Sequence, residues 1–257
     1  MSERPVALVT GAASGIGAAI AHRLASDHDV VIVDRDKDRA TAVADEVAGR
    51  AVAVDLTEPG AIESAVKAAV ETYGHLNVVC LNAGRTTGEY DIEKIGYERY
   101  RSVVALNQDA VFSGVAAAVP ALRDSGGGVI LATASLGGLV GQAEDPVYSM
   151  TKHAVVGLVR SLPPLLARHG IRIHAVCPGY VDTPLLSEHV GLLREAGFPL
   201  LQPDDVAAAA MAAISSPSTG EVWIVQPGRE PTPYKFRGVP GPRVEGKENV
   251  APPGLLG

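Results

Sequence analysis

The sequence is short of cysteine, of positive charge and of long apolar runs, and each shortage removes a class of function. Cysteine occurs twice in 257 residues, at Cys80 and Cys177, each inside an apolar strand-like run. Two such thiols read as buried and reduced rather than as a disulfide, and no metal site is expected. Lysine and arginine total 22 against 29 acidic residues, a formal charge of −7, which leaves no basic surface for nucleic acid. No stretch approaches the ~20 apolar residues that span a bilayer, so no membrane association is expected. The opening Met-Ser-Glu-Arg-Pro leads straight into a strand-like run and lacks a signal-peptide layout. A cytoplasmic location is the expectation. Hydrophobic residues at 47% and charged residues at 20% suit a globular chain with a substantial core.

What is present is an alternation. Val6-Ala7-Leu8-Val9 is a short apolar run of the kind buried on both faces of a sheet. It enters Thr10-Gly11-Ala12-Ala13-Ser14-Gly15-Ile16-Gly17, followed by a helical pattern over 18–26. Gly11, Gly15 and Gly17 allow a tight turn and a close approach to phosphate, and the helix behind them aims its free N–H groups at the same place. Between a strand and a helix this reads as a dinucleotide site; alone it would be a loop. The next strand, 30–33, ends at Asp34, 24 positions after Thr10, where a ribose-binding carboxylate is expected. Asp34 would repel a 2′-phosphate and favour NAD over NADP. Arg35 keeps NADP open, because a guanidinium there tolerates the phosphate. A helix N-cap before 36–47 is the second reading of Asp34.

Further strands are expected at 51–54, 78–81, 129–133, 171–177 and 221–225. Between them fall helical segments at 58–73, 93–119, from Pro146 onward, and 204–214. This rhythm predicts right-handed βαβ crossovers and an α/β, Rossmann-like doubly wound parallel sheet of about seven strands in one domain. Its carboxyl strand ends would gather Asp34, Asp55 and Asn82-Ala83-Gly84. The domain is read as 1–228, with a leucine-bearing substrate lid at about 183–203. Pro163-Pro164 should kink or break the helix after Tyr148, because each proline removes a donor and crowds the preceding turn. Residues 229–257, with six prolines and five glycines, should not form a regular core element. They read as an arm on the surface or on a neighbouring subunit, or as disordered.

Tyr148 and Lys152 stand four apart on one helix, hence one turn apart on one face. A cation beside a phenol favours the phenolate, so such a pair can move a proton; such pairs also occur on solvated helix faces. Ser135 follows the fifth strand, where serine is often a turn residue, and Asn107 lies mid-helix, where it could serve as a cap or kink filler.

Four features together resemble the short-chain dehydrogenase/reductase family over roughly residues 5–228: Thr10–Gly17, Asn82-Ala83-Gly84, Ser135 with Tyr148 and Lys152, and Pro178-Gly179. Leu81 and His174 depart from it, standing where the family often has asparagine. The resemblance implies hydride transfer between a nicotinamide cofactor and a secondary alcohol or ketone. Tyr148 would be the general acid/base, Lys152 would lower its pKa and hold the nicotinamide ribose, and Ser135 would orient the substrate oxygen. Asn107 would hold a proton-relaying water. The cofactor would further meet Ser14, Ile16, Asp55, Leu56, Asn82, Ala83, Gly84, Pro178, Gly179, Val181 and Thr183. A homo-oligomer is implied, tetramer before dimer. Leu136, Leu139, Val140, Tyr180, Leu185, Leu186, Leu192 and Leu193 are candidate walls of a largely apolar substrate pocket, or simply pack the lid. An NADP-dependent carbonyl reductase and a non-catalytic nucleotide-binding relative are the alternatives.

Overall fold

Apolar runs bounded by turn residues become strands buried on both faces, and the 3.6-periodic segments between them become the covering helices. The computed structural model describes residues 4–238. The first half comprises β1 (Val6–Thr10), α1 (Gly15–Leu24), β2 (Asp29–Asp34), α2 (Lys37–Glu46), β3 (Arg50–Ala53), α3 (Ala61–Tyr73), β4 (Val78–Leu81), α4 (Tyr97–Val104) and α5 (Ala110–Asp124). The second comprises β5 (Gly128–Thr133), α6 (Pro146–Ser161), α7 (Pro163–Leu166), β6 (Ile171–Pro178), α8 (Ser187–Glu195), α9 (Pro203–Ser215), β7 (Val222–Val225) and β8 (Thr232–Pro233).

The strand order is β3-β2-β1-β4-β5-β6-β7-β8, parallel except that β8 runs antiparallel to β7. The pleat sends alternate residues to two cores. Leu8, Val79, Ile130 and Ile173 pack with α3, α5 and α6 residues such as Ile62, Val115 and Val159. Val9, Ile32, Cys80 and Val176 pack with α1, α2 and α9 residues such as Ile20, Val43 and Ala210. Cys80 and Cys177 therefore sit on opposite faces, both buried and free. The chain order reverses beside β1, so the switch-point crevice opens at the carboxyl ends of β1 and β4.

Two expectations need correction. The helix expected at 93–119 begins at Tyr97, after Gly96, and runs to Asp124 through a π-helical turn at Ala105–Asp109. Pro120 does not end it, because Pro120 and the residue one turn earlier, Ala116, are both exposed and the freed carbonyl faces water. This helix is long and apolar enough to cross a membrane by length and composition. Its apolar face is accounted for by packing, with Val111, Val115, Ala118 and Leu122 buried in the first core.

The sheet has eight strands rather than about seven. β8, two residues at the sheet edge, lies in the segment expected to form no regular core element. Its Pro233 is tolerated because an edge strand has one side without a ladder to satisfy. Beyond it, Phe236 packs on the core under the Arg160 guanidinium, 3.7 Å from the ring centre. Residues 239–257 of that segment lie outside the described residues. Pro163 and Pro164 do break the helix, and they do so by opening the first turn of α7, where a missing N–H costs no internal bond.

His174 lies in the middle of β6. It is fully buried, and among the described residues neither ring nitrogen has a hydrogen-bond partner of ordinary geometry; Glu221 Oε2 stands 3.5 Å from Nδ1. That oxygen is already used by Ser216 Oγ at 2.7 Å and Trp223 Nε1 at 3.2 Å. Burial, against the pull of Glu221, holds the His174 pKa below its ordinary 6.5. The unfolded chain thus takes up a proton that the folded chain refuses. The stability from a neutral His174 is present above about 6.5 and is lost as pH falls below it. Melting temperatures of wild type and His174→Asn should therefore diverge between neutral and acidic pH, with wild type losing more. Parallel losses would contradict this origin.

Candidate active site

The glycine turn is shaped by contacts that exclude side chains. Gly11 has φ +63°, and a Cβ there would lie 2.8 Å from Ala83 Cα. At Gly17 a Cβ would lie 2.2 Å from Gly11 O and 2.6 Å from Asn82 Nδ2. Asn82 itself is fixed from neighbouring strand ends. Its Nδ2 donates to Thr10 O and Gly11 O, and its Oδ1 accepts from Thr133 Oγ1 at 3.0 Å. Thr10 Oγ1 in turn accepts from Asn82 N and Ala83 N at 2.9 and 3.1 Å. Ser14 caps α1 without a side-chain bond, so the first-turn N–H groups of α1 remain available to an anion.

At the next strand end, Asp34 braces this turn. Its Oδ2 accepts from Ala13 N and its Oδ1 from Asp36 N, both at 3.1 Å, which leaves lone pairs on each oxygen for a further donor. The N-cap of α2 is Asp36, which accepts from Arg39 N, so the capping reading of Asp34 is set aside. Asp55 accepts from Thr57 N and Oγ1 at 2.9 and 2.7 Å. Those bonds, helped by the nearby Arg35 and Arg85 guanidinium groups, hold its carboxyl below the usual range.

Tyr148 and Lys152 lie on the face of α6 turned to the carboxyl end of β5. Lys152 Nζ is buried and donates to Thr133 O at 2.7 Å, one acceptor for three donors. It stands 5.5 Å from the Tyr148 ring centre. Ser135 stands beside the Tyr148 hydroxyl, acting to lower its pKa, and accepts from Gly137 N at 3.1 Å. The expectation that Lys152 lowers the Tyr148 pKa is not met by the protein alone. Enclosure pushes the phenol up to about 12 against the lowering effect of Ser135, and pushes Lys152 down to about 8. Desolvation outweighs the cation because Lys152 makes no bond to the phenol oxygen.

A cleft of about 820 Å³ joins these parts. It is lined by Gly11, Ser14, Gly15, Ile16, Asp34, Arg35, Asp55, Leu56, Asn82, Ala83 and Gly84 on one side. Ser135, Tyr148, Lys152, Pro178, Gly179, Val181 and Thr183 line the other. Gly17 and Asn107 lie behind the wall. Asn107 is buried in the π-helical turn, where its Oδ1 accepts from Arg85 N and its Nδ2 donates to Arg85 O, both at 2.8 Å, and to Thr151 Oγ1. Its amide thus clamps the segment after β4, a role its mid-helix position did not disclose.

Of the expected apolar walls, Leu136, Val140, Tyr180, Leu185 and Leu186 reach the cleft, while Leu139 packs in the core and Leu192 is exposed. Leu193 is absent from the lining. Phe198, edge-on to Tyr180 at 5.4 Å, and the polar Gln142 and Glu144 were not foreseen. Thr133, Arg85 and Asp145 were also missed. Asp145 before Pro146 is a readable N-cap signal, whereas the other two reach the site only through folding.

Could this cleft hold a nicotinamide dinucleotide? The glycine cradle, the free N–H groups of α1 and the under-bonded buried ammonium of Lys152 fit its phosphates and ribose hydroxyls. At Gly84 a Cβ would come within 3.4 Å of Lys152 Nζ, so glycine there keeps the ammonium accessible.

A family model described as short chain dehydrogenase matches residues 5–190. The chain is 37% identical over 233 residues to a cyclohexanol dehydrogenase of Acinetobacter sp. (strain SE19), covering 86% of this chain and 92% of that one. The fold superposes on a 3-ketoacyl-(acyl-carrier-protein) reductase from Brucella melitensis complexed with NADH, with TM-score 0.82 and 34% identity, covering 88% and 98% of the two chains. It also matches a single-substitution variant of actinorhodin polyketide ketoreductase with NADPH, with TM-score 0.80 and 32% identity, covering 87% and 96%.

Proposed function

From the premise that this chain belongs to the short-chain dehydrogenase family and is an oxidoreductase acting on CH–OH groups, we propose that it interconverts a secondary alcohol and a ketone using NAD. The observation that carries the reading is the convergence of Tyr148, Ser135 and buried Lys152 on one end of the cleft. A bound nicotinamide cofactor supplies the hydride acceptor or donor. In the oxidative direction the alcohol yields a hydride and a proton and becomes a ketone, and Tyr148 takes the proton from the hydroxyl oxygen. In reduction the neutral phenol, whose pKa enclosure holds high, returns it. Ser135 would hold the same oxygen, and Lys152 would hold a ribose hydroxyl of the bound cofactor and add positive charge beside the phenolate. Asn107, committed to Arg85, would support proton exchange by fixing this wall.

Asp34 supports NAD, since its free lone pairs suit ribose hydroxyls and its charge opposes a 2′-phosphate. A second reading, an NADP-dependent carbonyl reductase, draws support from Arg35 and Arg85 near Asp55. Leu136, Val140, Leu185, Leu186 and Phe198 favour a compact, largely apolar substrate such as an alicyclic alcohol, in keeping with the cyclohexanol dehydrogenase relative. A homo-oligomer, tetramer before dimer, completes the proposal.

Initial rates on a panel of cyclic and linear secondary alcohols, with each cofactor, test the reading. Turnover with NAD⁺ should exceed that with NADP⁺ by at least ~10-fold in kcat/KM, equivalent to about 1.4 kcal/mol. A preference for NADP⁺ of that size would overturn the role given to Asp34.

A further inference from the structure

Asp145 is a buried carboxylate in the wall of the cleft, 6% exposed, and neither the hydride chemistry nor cofactor binding has yet used it. It caps the helix that carries Tyr148. Its Oδ1 accepts from Tyr148 N at 2.9 Å. Its Oδ2 accepts from Thr87 N at 2.6 Å, and Thr87 is itself buried. A capping oxygen normally serves one helix terminus. Here the second oxygen reaches a residue 58 positions earlier, in the segment that follows β4. That segment is held a second time, at Arg85, by Asn107. A cap that only ended a helix would be met as well by serine or threonine, with no charge to bury. An aspartate with both oxygens bonded to N–H groups fits a task that needs two acceptors and a fixed negative charge.

We propose that Asp145 is a positioning residue for Tyr148: its carboxylate ties the first turn of α6 to Thr87 and places a negative charge on the turn that carries Tyr148, so that it contributes to the pH range in which Tyr148 accepts the alcohol proton. The proposal rests on Tyr148 as the general acid/base. The negative charge favours the protonated phenol, in the same direction as burial and against Ser135. The other titratable groups near Tyr148 are Lys152 on the same helix and Cys177 on β6, whose thiol is pushed by burial up to about 12 and so stays neutral. On the 84–89 segment, Arg85 is near Asp55, and Glu89 is engaged by Tyr90 N and Asp91 N. Glu144 and Tyr180 stand at the mouth of the cleft. Asp145 is the acidic group among these that bonds to Tyr148 itself.

The test uses Asp145→Ser, which retains a capping oxygen for Tyr148 N and lacks the second acceptor and the charge, beside Asp145→Asn, which keeps the side-chain shape but removes the charge and replaces one acceptor oxygen with an NH2 donor. The full chain is assayed for NADH affinity by fluorescence titration and for the pH dependence of kcat in alcohol oxidation. Both variants should bind NADH within about twofold of wild type, and kcat should fall by roughly tenfold as positioning loosens. The midpoint of the rise of kcat with pH should move down by ~0.5 unit or more in both. A midpoint unmoved in both variants overturns the proposal, whatever happens to kcat, since a merely structural cap would lower the rate without shifting the titration. If instead Tyr148→Phe retains the wild-type rate and pH profile, the failure lies with the general acid/base reading and not with Asp145.

Discussion

Tyr148→Phe is expected to lower kcat by about 10²–10⁴-fold, the range supplied by a positioned general acid/base, while NADH affinity changes by less than about twofold. The substitution removes one oxygen and leaves the ring. The ring is what packs on the wall between Lys152 and Ser135, so the shape of the cleft should persist. Lys152 keeps its bond to Thr133 O, and Ser135 keeps its bond from Gly137 N. What is lost is the group that exchanges a proton with the substrate oxygen. Ser135 cannot replace it, because a hydroxyl without an adjacent base is far too weak an acid. Steady-state rates and a fluorescence titration on the same preparation separate the two effects. Retained turnover would remove Tyr148 from the chemistry.

Gly17→Ala should act on binding in the opposite proportion. The backbone at Gly17 has no left-handed strain, so the effect is purely steric. A Cβ would lie 2.2 Å from Gly11 O, and Gly11 cannot retreat freely because its N–H is bonded to Val33 O at 2.8 Å. The second neighbour, Asn82 Nδ2 at 2.6 Å, is pinned by Thr10, Gly11 and Thr133. The glycine turn must therefore open, at a cost of about 1–3 kcal/mol. That amount corresponds to roughly a 5- to 150-fold rise in the Kd for NADH if the strain is relieved in the unbound turn, with a lowered Tm if it is not. Unchanged affinity together with unchanged Tm would show that the turn is softer than its bonds imply.

How much of this was legible beforehand follows from where each contact comes from. Strand ends were legible, because apolar runs and their terminating Asp34, Asn82 and Pro178-Gly179 are local signals, and a parallel sheet gathers all its carboxyl ends on one edge. The Tyr148–Lys152 pair was legible because helix geometry fixes its spacing. The protonation of that pair was not. It depends on how much of the cleft encloses it, and burial reversed the direction that charge proximity alone suggests. Asn107 and Asp145 illustrate the same limit. Each has a plausible local role, and each spends its second polar atom on a partner far away in sequence, Arg85 and Thr87 respectively. The run of α5 past Pro120 was hidden because the penalty of a proline depends on which side of the helix faces water. β8 was hidden because an edge strand tolerates the prolines that argue against a central one.

The most direct test of proton transfer at Tyr148 is a single-turnover measurement. Wild type and Tyr148→Phe, each saturated with NADH, are mixed with a cyclic ketone and the decay of NADH absorbance is followed. The variant should form its NADH complex normally and then consume it at least ~100-fold more slowly than wild type. Decay at the wild-type rate would contradict the assignment of Tyr148 as the group that carries the proton.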